Sequence, residues 1–165
     1  MSIMARSESS REPDSAGFVL PLLLFGSFRA IIDELHAELA RQGHRDLRPA
    51  HGFAMQAIGR SGTTASELGR RLGVSKQAAG KTVDRLEALG YVERIDDPAD
   101  ARRKRIRLTD RGVDVLRRSA TIFERLRAQW AATLGEDRLR DLEADLRELQ
   151  PHAHFPLDAG SWFGA

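Results

Sequence analysis

From Phe18 onward, apolar residues recur at steps of three and four: Leu24, Phe25, Phe28, Ile31, Ile32, Leu35 and Leu39. That period lays them along one side of a long helix, with Pro21 tolerated in the first turn and Gly43 at the stop. Residues Arg48 to Ile58 form a second, shorter helix, opened by Pro49 and closed near Gly59 and Gly62. The stretch Thr64-Ala65-Ser66-Glu67 fits a capping box, in which Thr caps a helix and Glu reaches back three residues later. This helix buries Leu68 and Leu72 and stops at Gly73. Ser75 caps the next, which runs to Leu89 and ends at Gly90.

Helix, short turn with glycine, helix is the spacing of a helix-turn-helix. Tyr91 to Ile95 and Ile106 to Thr109 then alternate apolar and polar, as half-buried strands do. Between them, residues 96–104 read as a turn followed by a basic run, so the pair predicts a β-hairpin placed as a wing. After it, Asp110 opens a helix with Val113, Leu116, Ala120, Phe123, Leu126 and Trp130 on one face, broken by Gly135. A last helix, Glu136 to Leu149, carries a narrow seam of Leu139, Leu142, Leu146 and Leu149, suited to another helix. The expected fold is mainly α with a small β-hairpin. A disordered arm (1–16) leads into helical regions (17–46 and 110–150) that enclose the helix-turn-helix and wing (47–109), and an aromatic tail (151–165) follows.

Composition removes whole classes of function. Apolar residues make up 41% of the 165 and charged residues 30%, which suits a soluble domain with a real core. The richest apolar run, Phe18 to Phe25, is far shorter than the ~18 residues a membrane span needs, so no membrane partner is expected. The first residues carry Glu8, Glu12 and Asp14 and no secretory pattern, so the expected compartment is the cytoplasm. The absence of cysteine excludes disulfides, thiolate metal sites and a cysteine nucleophile. His36, His44, His51, His152 and His154 lack carboxylates at ligand spacing, so no metal and no cofactor is expected. No nucleophile elbow, phosphate-cradling loop or His-Glu-x-x-His motif is present, and an enzyme is not expected.

The net charge of +2 hides an uneven distribution. Residues 60–111 hold thirteen Lys or Arg against eight Asp or Glu, while the segments on either side are slightly acidic. A concentrated basic segment suits a polyanionic partner, most often nucleic acid; a plain solvated face is the other reading.

Three pieces at matching separations carry a resemblance. They are Ala65 to Ser75 (ASELGRRLGVS), Val83 to Val92 (VDRLEALGYV), and Asp97 to Arg102 (DPADAR) leading into Leu108-Thr109. In these the segment from about Leu47 to Gly112 resembles the MarR family of winged-helix transcription regulators. The resemblance implies a winged helix-turn-helix DNA-binding domain flanked by N- and C-terminal dimerisation helices. It further implies a homodimeric repressor of a pseudo-palindromic operator on double-stranded DNA, released by a small-molecule effector. Where many relatives carry a basic residue between the wing Asp and Arg, this chain has Ala101.

By helical spacing, Ala79, Val83, Leu86 and Thr82 face inward from the helix after Ser75, and Lys76, Gln77, Gly80, Lys81 and Asp84 face outward. The outer face of such a helix enters the major groove, where Gln77 suits an adenine edge and lysine suits guanine or phosphate. Gly80 costs about 1 kcal/mol in mid-helix, which either a close approach to DNA or crowding by another helix would explain. The resemblance places Arg102 in the minor groove, held by Asp100, and Arg103, Lys104 and Arg105 form a candidate phosphate patch. The candidate DNA-binding set is therefore Ser75, Lys76, Gln77, Gly80, Lys81, Asp100, Arg102, Arg103, Lys104 and Arg105. Phe25, Phe28, His51 and Phe123 are candidates for an effector pocket, with plain core packing as the other reading. The alternative function is a winged-helix protein-interaction module without sequence-specific DNA binding.

Overall fold

Each predicted apolar period becomes a helix in a computed structural model, which describes residues 16–97 and 100–149. The order is α1 (Ala16–Arg41), α2 (Pro49–Ile58), α3 (Ala65–Leu72), α4 (Lys76–Ala88), β1 (Val92–Asp97), β2 (Asp100–Leu108), α5 (Asp110–Leu134) and α6 (Glu136–Glu148). The arm before Ala16, the turn at Pro98 and Ala99 and the tail with His152 and His154 lie outside the described residues. So do the side chains of Asp100 and Arg102.

Sequence-encoded caps set the helix ends. Thr64 Oγ1 accepts from the Glu67 amide at 3.3 Å, and the Glu67 carboxylate accepts from the Thr64 amide at 3.1 Å. Ser75 Oγ accepts from the Ala78 amide at 3.1 Å, and Thr109 Oγ1 from the Gly112 amide at 3.2 Å. Each such cap satisfies an amide that the helix itself leaves without a partner, worth about 1 kcal/mol.

The core gathers where these elements converge. Leu39 of α1, Met55 and Ile58 of α2, Leu68 of α3, Val83 and Leu86 of α4, Tyr91 and Val92, Ile106 of β2 and Val115 of α5 are all buried in one cluster. Burying a large aliphatic side chain contributes roughly 1.5–3 kcal/mol, so this junction holds the winged segment together. Gly112 makes it possible: a Cβ there would overlap the Tyr91 carbonyl, so α5 starts against the base of the hairpin only because the residue has none.

Several expectations need correction. Helix α1 begins at Ala16, so Pro21 stands in its second turn; the carbonyl that loses its partner belongs to exposed Gly17, where water can replace it. Along the apolar side of α1, Ile32, Leu35 and Leu39 are buried, while Leu24, Phe25 and Phe28 are exposed within one chain. On α5 the buried line is Val115, Leu116, Ser119, Ile122 and Leu126, whereas Val113, Ala120, Phe123 and Trp130 are half-buried. The α6 seam, read as a face offered to another helix, is buried within the chain only at Leu139, and Leu142 and Leu149 are exposed.

The hairpin is longer than its sequence pattern. β2 reaches back to Asp100 and takes in the basic run placed in the loop, pairing Val92 with Leu108, Arg94 with Ile106 and Asp96 with Lys104, with a bulge at Asp96/Asp97. On the other edge of β2, Thr63 exchanges both backbone bonds with Ile106, at 2.9 and 2.7 Å. Among the described residues no helix is long and apolar enough to cross a membrane.

Candidate nucleic-acid interface

Helix α4 presents two chemically opposed faces. Ala79, Val83 and Leu86 are buried against the core, while Lys76, Gln77, Lys81 and Asp84 are exposed. Thr82 lies between the two, its hydroxyl donating to the Ala78 carbonyl at 3.3 Å. The Ser75 cap fixes the first turn, so Lys76 and Gln77 project from an ordered helix start. Gly80 is half-buried, yet nothing lies within 4 Å of where its Cβ would be, which removes helix crowding as its explanation.

The hairpin is locked to α4 by a residue that the sequence pattern did not single out. Arg94 ion-pairs with Glu87, and its other guanidinium nitrogen lies 2.5 Å from Asp84. Its guanidinium is held further above the ordinary arginine range; burial opposes this, and the hydrogen bond that it donates to Asp84 and the charge of Glu87 outweigh it. The helix and wing are therefore positioned as one unit. The only sequence signal was an arginine in the alternating strand.

The wing residues separate. Lys104 Nζ lies 2.5 Å from Asp96 Oδ1. Arg105 turns toward the α2–α3 loop and donates to the Ser61 carbonyl at 2.9 Å, with Asp97 at 4.0 Å. Arg103 is exposed. The consecutive residues read as one patch point to different sides because strand side chains alternate. Asp100 and Arg102 stand on β2, and nothing further is described of their side chains.

The four candidate effector residues have different surroundings. Phe25 is 61% exposed; Phe28 stacks on Phe53 of α2, ring centroids 6.3 Å apart. His51 is buried, its Nδ1 accepting from the Arg48 amide at 3.2 Å, so its ring caps α2. Phe123 borders a tight cavity of about 40 Å³ shared with His36, Phe53 and Ser119. It also borders a larger apolar hollow of about 320 Å³ between α1, α5 and α6, lined by Ile31, Trp130, Leu142 and Leu146. No group of three or more potential metal ligands occurs among the described residues.

Comparison with known proteins agrees with this architecture. Residues 45–103 match the MarR family. A 52-residue stretch is 40% identical to the HTH-type transcriptional regulator BilQ of Clostridioides difficile (strain CD3), covering 32% of this chain and 35% of that protein. The match thus spans about a third of that relative's length. Wild-type apo MarR from E. coli superposes with a TM-score of 0.62 at 25% identity, over 80% of this chain and 97% of that one. Streptococcus pneumoniae FabT, solved in complex with DNA, gives a TM-score of 0.68 at 19% identity, over 79% and 92% of the two chains. The matched segment coincides with the capped helix pair and hairpin, so residues 45–103 form a winged-helix segment of the MarR type, and the fold of the described residues is similar to that of MarR itself.

Proposed function

We propose that the chain is a transcription regulator that binds double-stranded DNA in the cytoplasm, with α4 in the major groove and the hairpin alongside. The observation that carries this reading is the capped, exposed start of α4, where Lys76, Gln77 and Lys81 stand above a fully buried inner face. The basic excess of residues 60–111 supplies the attraction to phosphate. FabT, which has the same fold, is seen with DNA, and this supports the same partner here.

The regulator acts as a homodimer. The first half of α1 offers Phe18, Leu20, Leu22, Leu23 and Phe25 to solvent, all more than half exposed, and a helix apolar on every side needs cover. A second copy covers it, and the two recognition helices then meet half-sites of a pseudo-palindromic operator about 34–36 Å apart. Repression relieved by a small molecule completes the reading, with the apolar hollow beside Phe123 as the space available to it.

Titration of operator and scrambled duplexes across a salt series tests this. Gln77→Ala removes a base-edge contact worth about 1–3 kcal/mol of discrimination, so preference relaxes at one position per half-site with the salt slope nearly unchanged. Arg102→Ala weakens binding to both duplexes and flattens the slope by up to about two units per dimer. A protein with no preference for any duplex selected from a random pool would replace this reading with the interaction-module one.

A further inference from the structure

We propose that the outer face of the hairpin carries a phosphate-binding hollow that grips the DNA backbone beyond the wing. The proposal rests on α4 occupying the major groove. A cavity of about 460 Å³ opens between the α2–α3 loop and β2, lined by Arg60, Arg105 and Arg107 around a floor of Ile95. None of these residues except Arg105 belonged to the basic run that the sequence singled out.

The hollow is built by backbone close approach. Gly62, at φ +72°, brings the loop so near β2 that a Cβ there would stand 2.7 Å from the Ile106 carbonyl. That approach sets Arg60 across from the odd-numbered arginines of β2. Arg105 is pinned by the Ser61 carbonyl and by Asp97, and so serves as a rigid wall. Arg107 reaches Glu93 at 2.6 Å, with its guanidinium still half-exposed. Arg60 is exposed and makes no hydrogen bond or ion pair with a described residue. Three guanidiniums against the two carboxylates of Asp97 and Glu93 leave net positive charge in a concave site, the arrangement that takes a phosphate oxygen pair.

Its position says which phosphates it meets. Arg94 and Ile106 share the hairpin face turned toward α4 and the core, since Arg94 pairs with Asp84 and Glu87. Ile95, Arg105 and Arg107 alternate to the opposite face. With α4 in the groove on one side of the hairpin, the hollow on the other side faces backbone further along the duplex.

The test compares duplexes that end at the wing with duplexes extended by about half a helical turn, ~5 base pairs, on each side. For the unaltered protein the extension should raise affinity and steepen the dependence of log affinity on log salt. In the double variant Arg60→Gln/Arg107→Gln the extension should give no gain, and the slope should flatten by about 0.9 for each phosphate no longer neutralised. Arg60→Lys/Arg107→Lys should restore much of both. Arg140→Gln, an exposed α6 charge paired with Asp137, controls for net charge. A double glutamine variant that keeps the full flank effect and slope, while Gln77→Ala still relaxes base preference, would overturn the hollow and leave the groove reading standing. So would an equal loss on Arg140→Gln. Failure of the unaltered protein to select any duplex would remove both.

Discussion

The Tyr91 hydroxyl lies 2.9 Å from His44 Nδ1 and closes a polar bridge between the loop after α1 and the base of the hairpin. Arg111 of α5 sits over the Tyr91 ring, 4.9 Å from its centroid, and donates to the same hydroxyl at 3.4 Å and to the Gly43 carbonyl at 3.3 Å. One arrangement of protons satisfies every group. Arg111 donates to Tyr91, Tyr91 donates to His44 Nδ1, and Nε2–H faces Asp114 at 3.7 Å. The winged segment and the terminal helices meet at this node.

Removing that hydroxyl should therefore destabilise the whole domain. Tyr91→Phe keeps the ring in the core but leaves His44 Nδ1 buried without a donor, a loss of about 1–3 kcal/mol. Urea unfolding of the two proteins measures it. Equal midpoints and slopes would mean that water replaces the hydroxyl at no cost.

Stability should rise with pH between 5.5 and 7.5. Burial holds the imidazoles of His36, His44 and His51 below the ordinary value of 6.5, aided by Arg111 at His44 and by Arg48 at His51. As pH falls the unfolded chain takes up these protons first, so the stabilisation is complete above about 6.5 and is lost toward the folded values. The lowered carboxylates of Glu38, Glu67, Asp114 and Glu136 have the same sign but act at lower pH. Urea midpoints at pH 7.5 and 5.5 should differ in that direction; a higher midpoint at pH 5.5 contradicts it.

Gly80 separates stability from binding. With open space where its side chain would stand, Gly80→Ala should stabilise α4 by roughly 0.5–1 kcal/mol. A methyl on the groove-facing surface should at the same time weaken DNA binding. Thermal unfolding and a duplex titration on one preparation read both; a variant both more stable and equally tight would show that DNA does not approach this position.

Phe25→Glu should break the dimer without unfolding the protomer. The side chain is 61% exposed within one chain, so a charge there costs little until a second copy covers it. Sedimentation at micromolar concentration should give a dimer for the unaltered protein and a folded monomer for the variant. An unaltered protein that sediments as a monomer would leave the apolar half of α1 without its proposed cover.

Local signals alone determined the capped helix pair. Thr64, Glu67, Gly73 and Ser75 act within a few residues of themselves, so their spacing fixes the start and stop of α3 and α4 whatever packs around them. The inner and outer faces of α4 were legible for the same reason, since a helix of known start has only one way to rotate.

What local spacing could not decide was how far β2 runs and which periodic apolar residues find a partner. Strand pairing joins distant segments: the bond between Thr63 and Ile106, enabled at Gly62, and the register of Asp96 with Lys104 carry the hairpin through a basic run that no local propensity marks as strand. That register split Arg103–Lys104–Arg105 between two faces and brought Arg60 beside Arg105 from 45 residues away in the chain. Likewise Phe25 and Leu35 share one helical period, yet only Leu35 lies where the core of the same chain reaches it. Periodicity names the face a helix turns inward; only the arrangement of the other helices decides how much of that face is covered.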